Sequence, residues 1–250
     1  MDLNIPDTRQ RILAQRLADG MQVVAIDVAA EFDVSLDTIR RDILALEADG
    51  KAHRVRGGAV PVARPADPLH SRLLGGAVKT DLIRAAIDQI GDAQTLLLDG
   101  GSTTLSLIPM LPALPGRLVI TPSPWIAIAC QEHNIEVFLL GGKLSARGGI
   151  AVGDVALGKV AKIAADIAVL GACGVDAEFG LSADDYDEAQ MKQAMHDAAV
   201  RTFVVTSSEK IGRRARHHTL PIREIDLLIT DADHGETKLL ANAGTTIITV

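Results

Sequence analysis

The stretch Val34–Gly58, VSLDTIRRDILALEADGKAHRVRGG, constrains this chain more than any other. Ser35 is a good helix N-cap, because its hydroxyl can accept from a free backbone N–H of the first turn. Ile39, Ile43 and Leu46 recur at helical spacing and so share one buried face. Asp37, Thr38, Arg40 and Arg41 then stand near the helix start, at least partly on the free side. A helix that enters the major groove of duplex DNA needs this layout, with short polar residues and arginines in its N-terminal turns. Gly50 ends the helix. Lys51, Arg54, Arg56 and Arg64 follow with no acidic residue between positions 51 and 66. Gly57-Gly58 permits a tight turn there, which implies a short β-wing touching the DNA backbone. The candidate DNA contacts are Ser35, Asp37, Thr38, Arg40, Arg41, Lys51, Arg54 and Arg56. A solvated basic helix is the bland alternative; the cap, the paired arginines and the basic Gly-Gly segment together favour DNA.

The rest of the composition limits what else the chain can be. Its 250 residues suffice for one large domain or a small one plus a large one. Aromatics make up 2%, too few for a stacking platform on single strands. The formal net charge is −7, so positive charge for DNA has to be concentrated locally, as in residues 51–66. Cys130 and Cys173 are far apart without metal-ligand spacing and read as reduced apolar fillers. The N-terminal residues are neither basic nor apolar enough for a signal peptide. No apolar run reaches the ~18 residues of a membrane span. The expectation is a cytoplasmic protein without a membrane partner, metal or cofactor.

Along the chain, Asp7 can cap a helix running to about Asp19. Ala25–Phe32 reads as a second helix, and Asp33-Val34-Ser35 as the turn into the third. The first domain is therefore placed at 1–60. Residues 61–68, PVARPADP, carry three prolines and read as an extended linker. A helix is expected from about His70 to Ile90, broken at Gly75-Gly76. From Thr95 the pattern becomes short apolar strands: Thr95–Asp99, Arg117–Thr121, Glu136–Leu140, Ile167–Ala172, Thr202–Thr206, Leu227–Thr230 and Thr246–Val250. Near-continuous apolar runs alternating with helical segments such as Asp187–Val200 imply an α/β domain over 69–250 with a largely parallel sheet.

Ligands of open α/β sheets bind beyond the carboxyl ends of the strands. The first such end carries Asp99, Gly100, Gly101, Ser102, Thr103 and Thr104. Glycines there allow close approach, and hydroxyls with free N–H groups form an anion cradle. Other ends carry Thr121-Pro122-Ser123, Gly141-Gly142-Lys143, Gly171 to Asp176 (with Gly174) and Thr206 to Lys210 (with Ser207). Jointly these suggest one polar site that takes a phosphate. Glu188 and Lys192, one helical turn apart, are equally readable as an i,i+4 surface pair. Trp125 follows Ser-Pro at a strand end and either walls the site or packs a helix start. The run Arg213–His218 reads as a solvated basic loop.

These residues carry a resemblance to the DeoR family of bacterial transcriptional regulators, the GlpR-like group. Val34, Ser35, Thr38, Ile39, Arg40, Arg41, Asp42, Leu46, Glu47, Gly50, Arg54, Gly57, Gly58 and Ala59 match its winged helix-turn-helix signature. Ile43 stands for the family's Leu, and Arg56 for its usual His. Asp99, Gly101, Thr103 and Thr104 match the family's first sensor turn. Leu170, Gly171, Gly174, Val175, Asp176, Gly180, Leu181, Glu188, Ala189 and Lys192 match a later pattern. Arg72 and Lys79 match basic positions of the family's intervening helical region. Pro122 stands where Asn is usual, and Ser207 where Asp is usual, which suggests a changed ligand.

The resemblance implies a fold related to ribose-5-phosphate isomerase and CoA transferases, operator DNA as partner and a phosphorylated sugar or polyol as effector. Ser102, Thr103, Thr104 and Lys210 would then hold phosphate. Asp99, Asp176, Glu188 and Lys192 would frame the hydroxylated part. Paired DNA-reading heads imply a dimer or tetramer. The alternative is a sugar-phosphate-converting enzyme of isomerase type with a fused DNA-binding head. No nucleophile–base pair or metal-ligand set is visible for it, and fold does not imply function.

Overall fold

The computed structural model describes residues 5–18, 21–61, 78–146 and 148–250. The expected linker beyond Pro61, the helical turns before Val78 and the basic positions Arg64 and Arg72 lie outside the described residues. The chain divides into two compact units, one built on residues up to 64 and the other on most of residues 65–250.

The first unit holds α1 (Pro6–Ala18), β1 (Val23–Val24), α2 (Ala25–Glu31), α3 (Leu36–Ala48), β2 (Ala52–Val55) and β3 (Gly58–Pro61). Ser35 caps α3 as its sequence suggests, accepting from the Thr38 N–H at 3.1 Å. Leu13, Leu17, Val28, Phe32, Ile39, Ile43 and Leu46 close the core between the three helices. The sheet order is β1-β3-β2, antiparallel throughout. Arg56 and Gly57 form the hairpin turn, with Gly57 at φ +96°, a conformation glycine adopts without strain. Gly58 answers a different need: a Cβ there would lie 1.9 Å from the Val23 carbonyl oxygen.

One buried ion pair ties α1 to α3. Arg9 Nε donates to Asp42 Oδ2 at 2.7 Å, both side chains being 4% exposed. Gln10 donates to Asp42 Oδ1 at 3.0 Å. The Asp of the Arg-Arg-Asp motif is thus an internal anchor, while the two arginines before it face outward.

The second unit begins with α4 (Thr80–Ile90) and β4 (Thr95–Leu98). There follow α5 (Ser102–Leu105), β5 (Leu118–Thr121), α6 (Pro124–Glu132), β6 (Glu136–Leu139), β7 (Lys143–Leu144) and β8 (Ala151–Val152). Next come α7 (Asp154–Val160), β9 (Ala165–Leu170), β10 (Gly174–Asp176), β11 (Gly180–Ala183) and α8 (Tyr186–Asp197). The chain closes with β12 (Ala199–Thr206), β13 (His217–Leu220), β14 (Leu227–Thr230), α9 (His234–Asn242) and β15 (Thr246–Thr249).

Seven parallel strands form one sheet, in the order β15-β14-β12-β9-β4-β5-β6. Every expected strand is present to within a few residues. The strands read as continuous apolar runs because the sheet is covered on both faces. Leu97, Ala168, Leu170, Val204 and Leu228 enter one core, whereas Leu96, Leu98, Val169, Phe203 and Ile229 enter the other.

Two departures from expectation have local causes. The helix expected to reach Val200 ends at Asp197, and Ala199–Val200 already belong to β12, which pairs from Ala199 with Ala165 of β9. The small antiparallel sheet β10-β11-β13 and the hairpin β7–β8 were not anticipated. Their strands have two to four residues, too short for a periodic pattern, and glycine, serine or histidine interrupts the apolar runs of β10, β11 and β13.

The strand order also locates a binding crevice. From β4 the sheet continues in one direction through β5 and β6; from β9 it continues in the other through β12, β14 and β15. The connections therefore diverge between β4 and β9, which opens a cleft at their carboxyl ends.

Candidate functional site

That cleft is a cavity of about 620 Å³. Ten of the sequence-derived effector candidates line it: Asp99, Gly100, Gly101, Ser102, Thr103 and Thr104 after β4, Glu188 and Lys192 of α8, and Ser207 and Lys210 after β12. Gly171, Ala172 and Cys173 after β9 and Asp231 after β14 complete the strand ends, and Lys79, Gly148 and Ile150 join from elsewhere.

Five candidates do not line it. Ser123, Gly142 and Lys143 follow β5 and β6, on the far side of the point where the connections diverge. Ser123 is fully buried, and Lys143 belongs to the β7–β8 hairpin, its backbone paired with Val152 and its side chain exposed. Gly174 and Asp176 belong to the small antiparallel sheet. Asp176 Oδ1 accepts from the N–H groups of Glu178 and Phe179 at 2.9 and 2.7 Å, closing the β10–β11 turn. Trp125 does not reach the cavity either and stands half exposed on α6.

The floor of the cavity is an ion pair. Lys192 Nζ bonds Asp99 Oδ2 and donates to the Gly171 carbonyl at 3.0 Å. Gly171 N–H donates to the same Asp99 oxygen at 3.0 Å. Burial alone would push the Lys192 ammonium towards neutrality, but the Asp99 carboxylate outweighs it, and the lysine pKa stands above its ordinary value. Asp99 is 1% exposed, yet its Oδ1 has no hydrogen-bond partner among the described residues. A buried carboxylate oxygen without a donor is costly, so this atom is ready to accept from a ligand hydroxyl.

Glu188 is not paired with Lys192, which removes the surface-pair reading. Its Oε1 accepts from Ser145 Oγ at 2.5 Å and from Gly148 N–H at 2.8 Å. A Cβ at Gly148 would lie 2.4 Å from that oxygen, so a side chain there would displace the carboxylate. The carboxylate thereby fixes the loop before β8 as one wall. Asp185, one turn earlier, is the N-cap of α8 and accepts from Glu188 N–H at 3.1 Å.

The opposite wall carries the hydroxyls. Gly101 stands at φ +133° and turns the chain into α5. A four-residue helix leaves its first N–H groups without intrahelical partners. At the rim, Lys210 meets Glu209 at 3.0 Å. Lys79 Nζ meets Asp231 Oδ2 at 2.8 Å, and Asp231 Oδ1 accepts from Ser208 N–H at 2.5 Å. Burial raises the Asp231 pKa, but these donors prevail and hold it below the ordinary carboxylate range. Cys173 is a wall residue rather than a core filler; burial pushes its thiol up against the pull of Lys192. Cys130 is core, its thiol pushed up to about 11 by burial.

Sequence reasoning missed Asp231, Gly148 and Ile150 as cavity residues. They come from strand and loop ends far apart in sequence; Gly148 stands in a Gly-Gly turn that does not follow any strand of the parallel sheet, and Asp231 stands outside any glycine-rich turn.

In the first unit, Arg40, Arg41, Lys51, Arg54 and Arg56 are all exposed. Asp37 meets Arg41 at 3.3 Å as an exposed i,i+4 pair, which leaves the guanidinium free to exchange partners at little cost. Ser35 and Thr38 are engaged with each other at the cap, Oγ to Oγ1 at 2.8 Å. Arg54 is tethered: Glu47 accepts from its N–H at 3.3 Å and meets its Nε at 3.3 Å, fastening β2 to the end of α3. Arg56 sits at the hairpin tip. No described helix is long and apolar enough to cross a membrane, and no described group of His, Cys, Asp and Glu could hold a metal ion.

Comparison with known proteins bears on both units. Residues 9–64 match the DeoR-like helix-turn-helix domain, and residues 76–232 match the DeoR C terminal sensor domain. The HTH-type transcriptional regulator GlpR of Haloferax volcanii is 30% identical over 249 residues, 98% of each chain. The glycerol-3-phosphate regulon repressor of Escherichia coli K12 is 28% identical over 209 residues, 82% of this chain and 83% of that one. Among solved structures, ribose 5 phosphate isomerase A of Neisseria gonorrhoeae overlaps 54% of each chain at 13% identity and a TM-score of 0.38.

Proposed function

The chain belongs to the DeoR family of transcriptional regulators, and from that premise we propose a repressor of carbohydrate-metabolism genes controlled by a phosphorylated sugar or polyol. Its relatives are named regulators and repressors, so it is a DNA-binding regulator and not an enzyme. The observation that carries the finer reading is the cavity at the divergence of β4 and β9. Its lining combines the hydroxyls of the turn after β4 with Lys79 and Lys210, which suit a phosphate, and an unpartnered Asp99 oxygen, to which a sugar hydroxyl would donate. Ser102, Thr103, Thr104 and Lys210 take the phosphate; Asp99, with Lys192 and Glu188 framing it, takes the hydroxylated part. The protein acts in the cytoplasm as a dimer or tetramer, its heads on two half-sites.

The heads read DNA through the start of α3, with Arg40 and Arg41 at base edges or phosphates, and through the wing arginines on the backbone. Residues 61–68 serve as the linker between the two functions. Effector binding changes operator affinity only through unequal affinity for two arrangements of the protein; a coupling of ~1–3 kcal/mol corresponds to about 5–150-fold.

The test is a thermal-shift screen of the full chain against sugar phosphates, polyol phosphates and their unphosphorylated parents. A ligand at ~100 times its dissociation constant adds roughly 2.7 kcal/mol of stability. Stabilisation by a phosphorylated compound and not by its parent is the expected result. Stabilisation by parents alone, or by nothing, overturns the reading.

A further inference from the structure

Among the described residues of the cavity, three carry positive charge, and each already faces a carboxylate. Lys192 pairs with Asp99, Lys210 with Glu209 and Lys79 with Asp231. Glu188 adds a fourth carboxylate to the lining; an incoming anion therefore meets lysines that are already engaged, and binding requires at least one exchange of partners.

The three pairs differ in how easily they exchange. Lys192 is 5% exposed and is held by the Gly171 carbonyl as well as by Asp99. Moving it would strand a buried charge, so this pair is fixed. Lys210 and Glu209 are neighbours in sequence, the lysine partly buried and the glutamate exposed, and their pairing is weak. Lys79 combines two properties. Its side chain is 67% exposed and sits on a flexible stem, so it can leave without desolvation cost. Its partner Asp231 is 6% exposed and keeps the Ser208 N–H when the lysine goes. Asp231 thus holds two things at once: the lysine before α4, and the start of the Ser208–Lys210 turn that carries Lys210.

We propose that Lys79 is an effector contact that changes partner, held by Asp231 in the free sensor and taken over by the anionic group of the bound ligand. This inference rests on the reading of the cavity as a phosphate site. Lys79 is the residue immediately before α4, at the start of the described sensor domain. Residues 62–77 connect that point to the DNA-reading unit, so the exchange acts on the chain where the two functions are covalently joined.

The test is a double-mutant cycle on the full chain, with binding of glycerol 3-phosphate and of inorganic phosphate measured by calorimetry. Lys79→Met keeps the stem and removes the charge; Asp231→Asn keeps an acceptor for Ser208 and releases the lysine. Lys79→Met is expected to weaken binding about tenfold, the scale of one charge-assisted hydrogen bond. Asp231→Asn is expected to tighten it severalfold. The decisive variant is the double one. If Lys79 is the ligand's partner, the gain from Asp231→Asn disappears in the Lys79→Met background. If the gain persists there, Asp231 acts only by repelling the anion, and the proposal is overturned while the phosphate site stands. If the wild-type chain binds neither probe nor any phosphorylated compound of the thermal-shift panel, the site reading fails and the proposal with it.

Discussion

Among the described residues, a buried ion pair stands in each unit, Arg9–Asp42 in the first and Lys192–Asp99 in the second, and the two differ in one oxygen atom. In the first unit Asp42 has both oxygens engaged, by Arg9 and Gln10. In the second, Asp99 spends Oδ2 on Lys192 and the Gly171 N–H and leaves Oδ1 without a donor. The first arrangement is closed and serves to pin α1 against α3. The second is open, on the wall of a cavity. Both pairs are nearly inaccessible, so burial alone does not separate a staple from a binding group; an unsatisfied oxygen on a residue that lines a cavity does.

The comparison can be broken by removing one partner at a time. Asp42→Ala leaves Arg9 buried and uncompensated, at a cost of about 3–5 kcal/mol. The expected outcome is unfolding of the first unit alone, with loss of DNA binding. Hydrogen exchange should show α1 and α3 unprotected while the β4–β9 sheet remains protected. Loss of protection in both units would mean that Asp42 is more than a local staple.

Replacing both partners sharpens it. Arg9→Met with Asp42→Leu should be close to neutral for stability and leave DNA binding intact, because the pair is buried between α1 and α3, away from the exposed arginines. Asp99→Leu with Lys192→Met should be similarly tolerated in thermal unfolding and abolish ligand-induced stabilisation, a loss of roughly 2.7 kcal/mol at saturating effector. If the sensor double variant still responded to the ligand, Asp99 would be as purely structural as Asp42.

Two surface arginines test the division of labour at a smaller scale. Arg40→Ala and Arg41→Ala should each lower affinity for duplexes selected from a random pool by about 1–3 kcal/mol, with unfolding shifted by under ~0.5 kcal/mol. Effector-induced stabilisation should be unchanged. A loss of the ligand response in these variants would contradict the separation of the two sites.

The smallest effect is in acid. Asp231 has a folded pKa below its ordinary value of 3.8, since the bonds from Lys79 and Ser208 outweigh burial. A depressed carboxylate contributes stability that is present above the unfolded pKa and is lost as pH falls through the folded one. Asp231→Asn should therefore lower stability slightly at neutral pH, where the ionised carboxylate contributes in full, and flatten the acid limb below about pH 4, the two proteins converging at the acid end. An acid limb identical to that of the wild type would show the ionised form to be unfavoured by its neighbours.

Local chemistry wrote the first unit into the sequence. Ser35 as cap, Ile39, Ile43 and Leu46 as buried stripe, and Gly57 in a two-residue turn are decisions made within a few residues, where periodicity and backbone conformation suffice. The seven parallel strands were legible for the same reason: a strand covered on both faces has to be apolar at nearly every position. The glycine and hydroxyl turn after β4 announced an anion site for reasons equally local.

Strand order was not local, and it decided which of several similar turns share one cavity. Ser123 and Lys143 looked as suitable as Ser207 and Lys210. They fall on the β5–β6 side of the point where the connections diverge, so the first pair is buried or paired elsewhere while the second faces the ligand space. Glu188 and Lys192 had the spacing of a surface ion pair; packing α8 beneath the sheet ends turned each towards a different partner. Asp231 had only the signal of following a predicted strand, without a glycine or hydroxyl turn, and its place in the cavity comes from β14 lying beside β12. Local sequence fixes which residues start, stop and line an element, because those forces act within one or two turns. Which elements become neighbours depends on long-range burial, and only the folded chain decides it.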